Sequence, residues 1–199
     1  MNLKKICDFK YYFLENVVYN EKIKKDYDIN VSFHGGGLSK EFLRGYEWKY
    51  IKCYRHLQAN QNNIWKRYYI HKLKRLENKT GICLENNMSI GDGLIIGHWG
   101  NIIINGQAQF GNQVFITHGV TIGRDIRGKR AGVPTFGDRV CIRANSTVVG
   151  NVHIGNDVLI APNTFVNFDV PDHSIVIGNP ASIHHRDNAT EGHIPNMNW

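Results

Sequence analysis

The sequence lacks the signatures of several large functional classes. No apolar run approaches the roughly 18 residues needed to cross a bilayer, so no membrane span is expected. The opening MNLKKICDFKYYFLENVVYN is basic but has no long apolar core, which argues against a secretory signal peptide. The 4 cysteines are Cys7, Cys53, Cys83 and Cys141. None lies in a C-x-x-C pair or other metal-ligand spacing, so no metal is expected, and scattered thiols suit a reducing cytoplasm. No P-loop, dinucleotide fingerprint or serine nucleophile elbow occurs. The formal net charge is +7 and the pI about 9.2, a balance that attracts nucleic acid, a membrane surface or a phosphorylated cofactor. No nucleic-acid recognition motif accompanies the charge.

What is present is a period of six. Leu84, Ile90 and Ile96 form one series, and Ile104, Phe110, Ile116 and Ile122 a second. Phe136, Ile142, Val148, Ile154, Ile160 and Val166 form a third. Gly often follows the apolar residue, as at Gly91, Gly97, Gly111, Gly123, Gly137 and Gly155. Neither a helix nor an alternating strand has this period. A parallel β-helix of hexapeptide repeats does: three short strands make one triangular coil, with the apolar residue pointing inward. The series imply a prism of about five coils over residues 81–183. Two register breaks stand out, one beside His98 and Trp99, the other a polar loop between Ile122 and Phe136. Insertions in solenoids tend to build the binding face.

Residues 1–80 read as a helical region. A helix is expected within residues 1–30, then a breaker at Gly35, Gly36 and Gly37. Ser39 reads as the N-cap of a helix to about Gln58, with an apolar face of Phe42, Tyr46, Tyr50 and Cys53. A second helix, about Ile64 to Leu76, has a stripe of Trp65, Tyr69, Leu73 and Leu76 and a basic face of Arg67, Lys72, Lys74 and Arg75. That face is either solvated or a contact for a membrane surface or phosphate. The two helices should form a hairpin packed on the first coil. The tail, 184–199, is polar and expected to be mobile.

The run Ile96-Gly-His98-Trp-Gly, then Ile-Asn-Gly, then Thr117-His118-Gly-Val-Thr-Ile-Gly123, resembles the serine O-acetyltransferase branch of the hexapeptide acyltransferases. Asp169-Val-Pro-Asp-His-Ser-Ile-Val-Ile-Gly-Asn-Pro-Ala181 resembles that family's closing segment. The resemblance implies left-handed coils, a homotrimer, and acetyl-CoA in a groove between neighbouring prisms. It places His98 on the catalytic histidine, and Gly123, Ala144 and Pro162 where the cofactor passes. It also shows departures. The Asp that pairs with the histidine falls on Cys83, a substrate-side Asp on Gly97, and an Arg-His pair that grips the serine carboxylate on Gly132-Val133. These losses argue against serine and toward the colanic-acid and capsule acetyltransferases, with a sugar hydroxyl of a polysaccharide or its precursor as acceptor. Serine O-acetylation, in cysteine biosynthesis, stands as the alternative.

Acetyl transfer from a thioester to a hydroxyl needs a proton acceptor, oxyanion stabilisation and alignment of two substrates. A histidine suits the first task, and His98 is flanked by Gly97 and Gly100, which let backbone approach. Glu85, two residues beyond Cys83, points to the same side in a strand. It either replaces the missing Asp or is a solvated corner carboxylate. His118, one coil further along, and Trp99 are candidates for the acceptor side. Lys129 and Arg130 in the extruded loop are candidates for CoA phosphates.

Overall fold

The structure, a computed structural model, describes residues 21–35, 44–60, 64–86 and 88–197. The Ser39 cap, Phe42, Gly36 and Gly37 lie outside them. Among the described residues three helices, α1 (Glu21–Phe33), α2 (Tyr46–Ala59) and α3 (Trp65–Thr80), precede a parallel β-helix.

The hexad series become three columns. Each coil takes successive apolar members, one for each side of the prism; the third coil joins Ile122 of the second series to Phe136 and Ile142 of the third. Sheet A stacks β1 (Ile82–Leu84), β4 (Ile102–Ile104), β7 (Thr121–Gly123), β10 (Thr147–Val149) and β13 (Phe165–Val166). Sheet B stacks β2 (Ser89–Ile90), β5 (Gln109–Phe110), β8 (Thr135–Phe136) and β11 (His153–Ile154). Sheet C stacks β3 (Ile95–Ile96), β6 (Phe115–Ile116), β9 (Val140–Ile142), β12 (Val158–Ile160) and β14 (Ser174–Gly178). β15 (Ala181–His185) closes sheet C antiparallel to β14. In register, Leu84, Ile104, Ile122, Val148 and Val166 line one inner edge. Ile96, Ile116, Ile142, Ile160 and Val176 line another. Ile90, Phe110, Phe136 and Ile154 complete the core, where the rings of Phe110 and Phe136 stack at 4.5 Å.

The corners differ in chemistry. At the B-to-C corner a Gly-Asx pair recurs: Gly91-Asp92, Gly111-Asn112, Gly137-Asp138 and Gly155-Asn156. The side chains form a ladder. The Asp92 N–H donates to Asn112 Oδ1, the Asn112 N–H to Asp138 Oδ1, the Asp138 N–H to Asn156 Oδ1, and the Asn156 N–H to Asp172 Oδ1. Coils pass too closely here for a side chain: a Cβ on Gly111 would lie 2.6 Å from the Gly137 carbonyl oxygen. The glycines of the repeat answer to that approach.

The helices cap the open end of the first coil, where unpaired strand groups would otherwise face water. Tyr50, Tyr54 and Leu57 of α2 and Leu73 and Leu76 of α3 join Ile82, Leu84 and Ile90 in one buried cluster. The Tyr50 hydroxyl accepts the Leu84 N–H at 3.0 Å, and Tyr54 Oη donates to the carbonyls of Glu85 and Met88. Arg55 donates to the carbonyls of Ile90 and Gly91, and Asp26 of α1 accepts the N–H groups of Gly93 and Leu94. Trp65, expected in the apolar stripe of α3, is instead 45% exposed, whereas Leu73 and Leu76 of that stripe are buried and Tyr69 is partly buried against the same cluster.

The tail is not loose. Residues 186–197 return across the prism, burying Ala189, Thr190 and Ile194. Asp157, buried at the B-to-C corner, accepts the N–H groups of Ala189 and Thr190, the Thr190 hydroxyl at 2.6 Å, and His173 Nδ1 at 2.9 Å. Arg139 donates to the carbonyls of Ile194 and Pro195. The polar composition that suggested mobility instead supplies partners for buried Asp157 and half-buried Arg139. Burial pushes the Asp157 carboxyl up, but the hydrogen bonds from Thr190, His173 and the two amides outweigh it and hold the carboxyl below its usual range. The same bond to Asp157 raises His173. A lowered carboxyl stabilises above its unfolded value and loses that effect as pH falls, whereas a raised histidine loses its effect as pH rises through the raised value. Docking of the tail is therefore expected to be firmest between about pH 4 and 6.5. Asp157→Asn should free it, so that trypsin cuts at Arg186 roughly tenfold faster or more. An unchanged cleavage rate would show that the tail is held by Ile194 and Arg139 alone.

Candidate functional site

His98 and His118 share the C-to-A corner. The register of Ile96 with Ile116, then Ile142 and Ile160, sets His98, His118, Ala144 and Pro162 in one line along it. Both histidines are exposed, and their rings meet edge to face at 6.0 Å. Gly119, Asn145 and Asn163 turn this corner with positive φ, which sends the chain back into sheet A directly after the line. Trp99, 48% exposed, lies beside His98 and is held edge-on by Tyr46 of α2 at 6.1 Å. Lys49 and Lys79 stand over the Tyr46 ring. The N-terminus of α2 thus forms one wall of the site.

The other sequence-predicted residues sit elsewhere. Gly123, Lys129 and Arg130 belong to the A-to-B corner, where the extruded loop leaves β7 and returns to β8. Arg130 is paired with Asp169 at 3.5 Å, and a bridge between Asp125 and Gly132 closes the loop on itself. Lys129 is exposed. Glu85 also lies at the A-to-B corner. β1 ends at Leu84, so the two-residue alternation that pointed Glu85 toward His98 stops one residue short. Its carboxylate packs over Gly106 of the next coil, and no hydrogen bond joins it to His98 among the described residues. It lines a groove of about 390 Å³ between α3 and the first coil, with Lys66, Lys74, Glu77 and Cys83, which includes neither histidine. Cys83 is no carboxylate substitute: burial and the Glu77 carboxylate push its thiol above its usual range, so it stays neutral.

Position 97 is filled rather than vacant. A Cβ on Gly97 would come within 2.6 Å of the Phe115 ring, which occupies that space. Over the Phe115 ring, 5.5 Å from its centroid, lies the guanidinium of Arg143, a residue the sequence reading passed over. The signal was available: Arg143 is the one charged residue among the outward positions in line with Gly97, namely Thr117, Arg143 and Ala161.

Among the described residues no group of three or more His, Cys, Asp or Glu side chains is placed to hold a metal ion, and no helix is long and apolar enough to cross a membrane.

No family model matches the chain. Over 142 residues it is 34% identical to serine acetyltransferase 2 of Arabidopsis thaliana, covering 67% of this chain and 43% of that protein. Over 102 residues it is 37% identical to the serine acetyltransferase of Helicobacter pylori, covering 51% and 60%. Among solved structures, the serine acetyltransferase of Neisseria gonorrhoeae in complex with serine superposes with a TM-score of 0.70 at 25% identity, covering 82% of this chain and 68% of that one. The chain spans about half the length of the curated relatives it matches. These similarities overturn the sugar-acceptor reading, since the relatives are serine acetyltransferases and none of them acts, by name, on a polysaccharide. The sequence reading weighed lost charged positions and had no view of what stands in their place. The comparisons support a place for this chain in the hexapeptide-repeat serine acetyltransferase family, and give no support to the colanic-acid and capsule branch.

Proposed function

We propose that the protein is an acetyl-CoA-dependent O-acetyltransferase whose acceptor is serine. The observation that carries this reading is the pair of exposed histidines on one corner of a β-helix whose relatives are serine acetyltransferases. In this reading His98 takes the proton of the acceptor hydroxyl as its oxygen attacks the thioester carbonyl. The carbon–sulfur bond then breaks, and the proton passes from His98 to the departing thiolate. The products are the O-acetyl ester and free CoA, and the base is restored. His118 and Trp99 bound the acceptor. Ala144 and Pro162, small or flat and in line with the histidines, leave room for the pantetheine arm. Backbone N–H groups, not a metal, are proposed to meet the oxyanion.

The cofactor-side candidates Gly123, Lys129 and Arg130 lie at a different corner of the same prism. Two corners of one chain meet in a single groove only when prisms sit side by side, which favours a homotrimer with its sites between copies. The reading is tested by following free thiol release from acetyl-CoA with and without serine. Saturable serine-dependent release is expected. Release that does not respond to serine, in protein that binds acetyl-CoA, would overturn the acceptor.

A further inference from the structure

Serine carries a carboxylate, and a site that selects it must present a cation to that group. The arginines hydrogen-bonded or ion-paired in this structure are mostly committed elsewhere. Arg55 is bound to Asp26, Arg130 to Asp169, and Arg139 to the tail. Arg143 differs. It is half-buried, and no ion pair joins it to a carboxylate among the described residues. The Cys141 thiol beside it is pushed up by burial and stays neutral, and His193 of the docked tail is lowered by burial and then by Arg143 and Arg186. A half-buried guanidinium in basic surroundings is an anion site in want of its anion.

Its position is equally specific. Arg143 stands two coils above Gly97 on the outward line beside the histidine corner. Adjacent coils are about 4.8 Å apart, and the guanidinium reaches back over Phe115, whose ring extends to Gly97. Guanidinium, buried ring and Gly97 are therefore stacked in that order, ending next to His98. The planar ring holds the fork in place, a setting that suits two parallel hydrogen bonds to a carboxylate better than a single point contact.

We propose that Arg143 binds the carboxylate of the acceptor amino acid and so determines selectivity for a carboxylate-bearing alcohol. The inference rests on the reading of serine as acceptor. The test compares wild type, Arg143→Met and Arg143→Lys with serine and with ethanolamine, which is serine without its carboxylate. Arg143→Met should raise the KM for serine about 10- to 100-fold, the range for losing charge-assisted hydrogen bonds. The turnover number and the KM for acetyl-CoA should hold, and Arg143→Lys should recover part of the loss. Turnover of ethanolamine should be the same in wild type and Arg143→Met, so that discrimination between the two acceptors collapses. Should Arg143→Met melt early, Arg143→Gln serves in its place. An unchanged serine KM in a folded variant overturns the inference, as does a rise confined to acetyl-CoA, which would assign the guanidinium to a phosphate. Wild type that turns over no serine overturns the acceptor reading and this inference together, an outcome visible before any variant is made.

Discussion

His98→Asn should lose roughly 10²- to 10⁴-fold in turnover number, the range expected for removing a general base. Asparagine keeps the size of the ring's near half and one acceptor atom but takes no proton at neutral pH. The loss should fall on kcat, because His98 meets the hydroxyl only as that group gives up its proton. The KM for acetyl-CoA should stay within about twofold, since the cofactor-side candidates lie on other coils, Gly123, Lys129 and Arg130 also at another corner. His118→Asn is the internal comparison. Its ring meets His98 edge to face at 6.0 Å; in the proposed reading it bounds the acceptor, and its loss should appear mainly in the KM for serine. Full activity in His98→Asn would remove the histidine from catalysis. A loss in His118→Asn as deep as that in His98→Asn would transfer the proton to the pair rather than to one ring.

The fold was open to the sequence because one physical demand repeats. Every coil must close over the same narrow interior, so the apolar residue returns at each sixth position, and Leu84, Ile90 and Ile96 become one coil without adjustment. The corners are less legible because what they do depends on the neighbouring coil. The Asp92, Asn112, Asp138, Asn156 and Asp172 ladder is a contact between residues at least 16 positions apart. Nothing local distinguishes those side chains from solvated turn residues. Glu85 does not reach His98 within one chain for a related reason: alternation holds inside a strand, and the strand ends at Leu84. The acceptor was misread because a lost charge at Gly97 looks like an empty place in sequence. In space Phe115 fills it, and Arg143 stacks over the same ring. The tail was misread because its polar residues satisfy Asp157 and Arg139, which precede it by about 30 to 55 positions.

Arg55→Met should cost about 3–5 kcal/mol, the penalty for leaving one member of a buried ion pair without its partner. Asp26 and Arg55 are both fully buried, with Arg55 Nε 2.7 Å from Asp26 Oδ2. Burial pushes the Asp26 carboxyl up, and the guanidinium and the N–H groups of Gly93 and Leu94 pull against it. The carboxyl is thus raised even with Arg55 in place, and in Arg55→Met that pull is mostly gone and it rises further. A carboxyl raised above its unfolded value destabilises the fold at high pH and is relieved as pH falls through the raised value. The variant should therefore gain more stability than wild type on acidification from pH 8 toward pH 5. At pH 8 its melting temperature should fall by roughly 6–20 °C, the shift that such a loss gives a chain of this size. The double variant Asp26→Leu, Arg55→Met should recover much of the difference, because two apolar groups bury without an unpaired charge. Recovery would still be incomplete: Arg55 also donates to the carbonyls of Ile90 and Gly91, and Asp26 accepts two N–H groups of the first coil. The pair therefore ties α1 and α2 to the open end of the β-helix as well as to each other. Arg55→Met melting within about 2 °C of wild type at pH 8, with no gain beyond that of wild type on acidification, would show that apolar packing of Tyr50, Tyr54 and Leu57 holds that end closed without the pair.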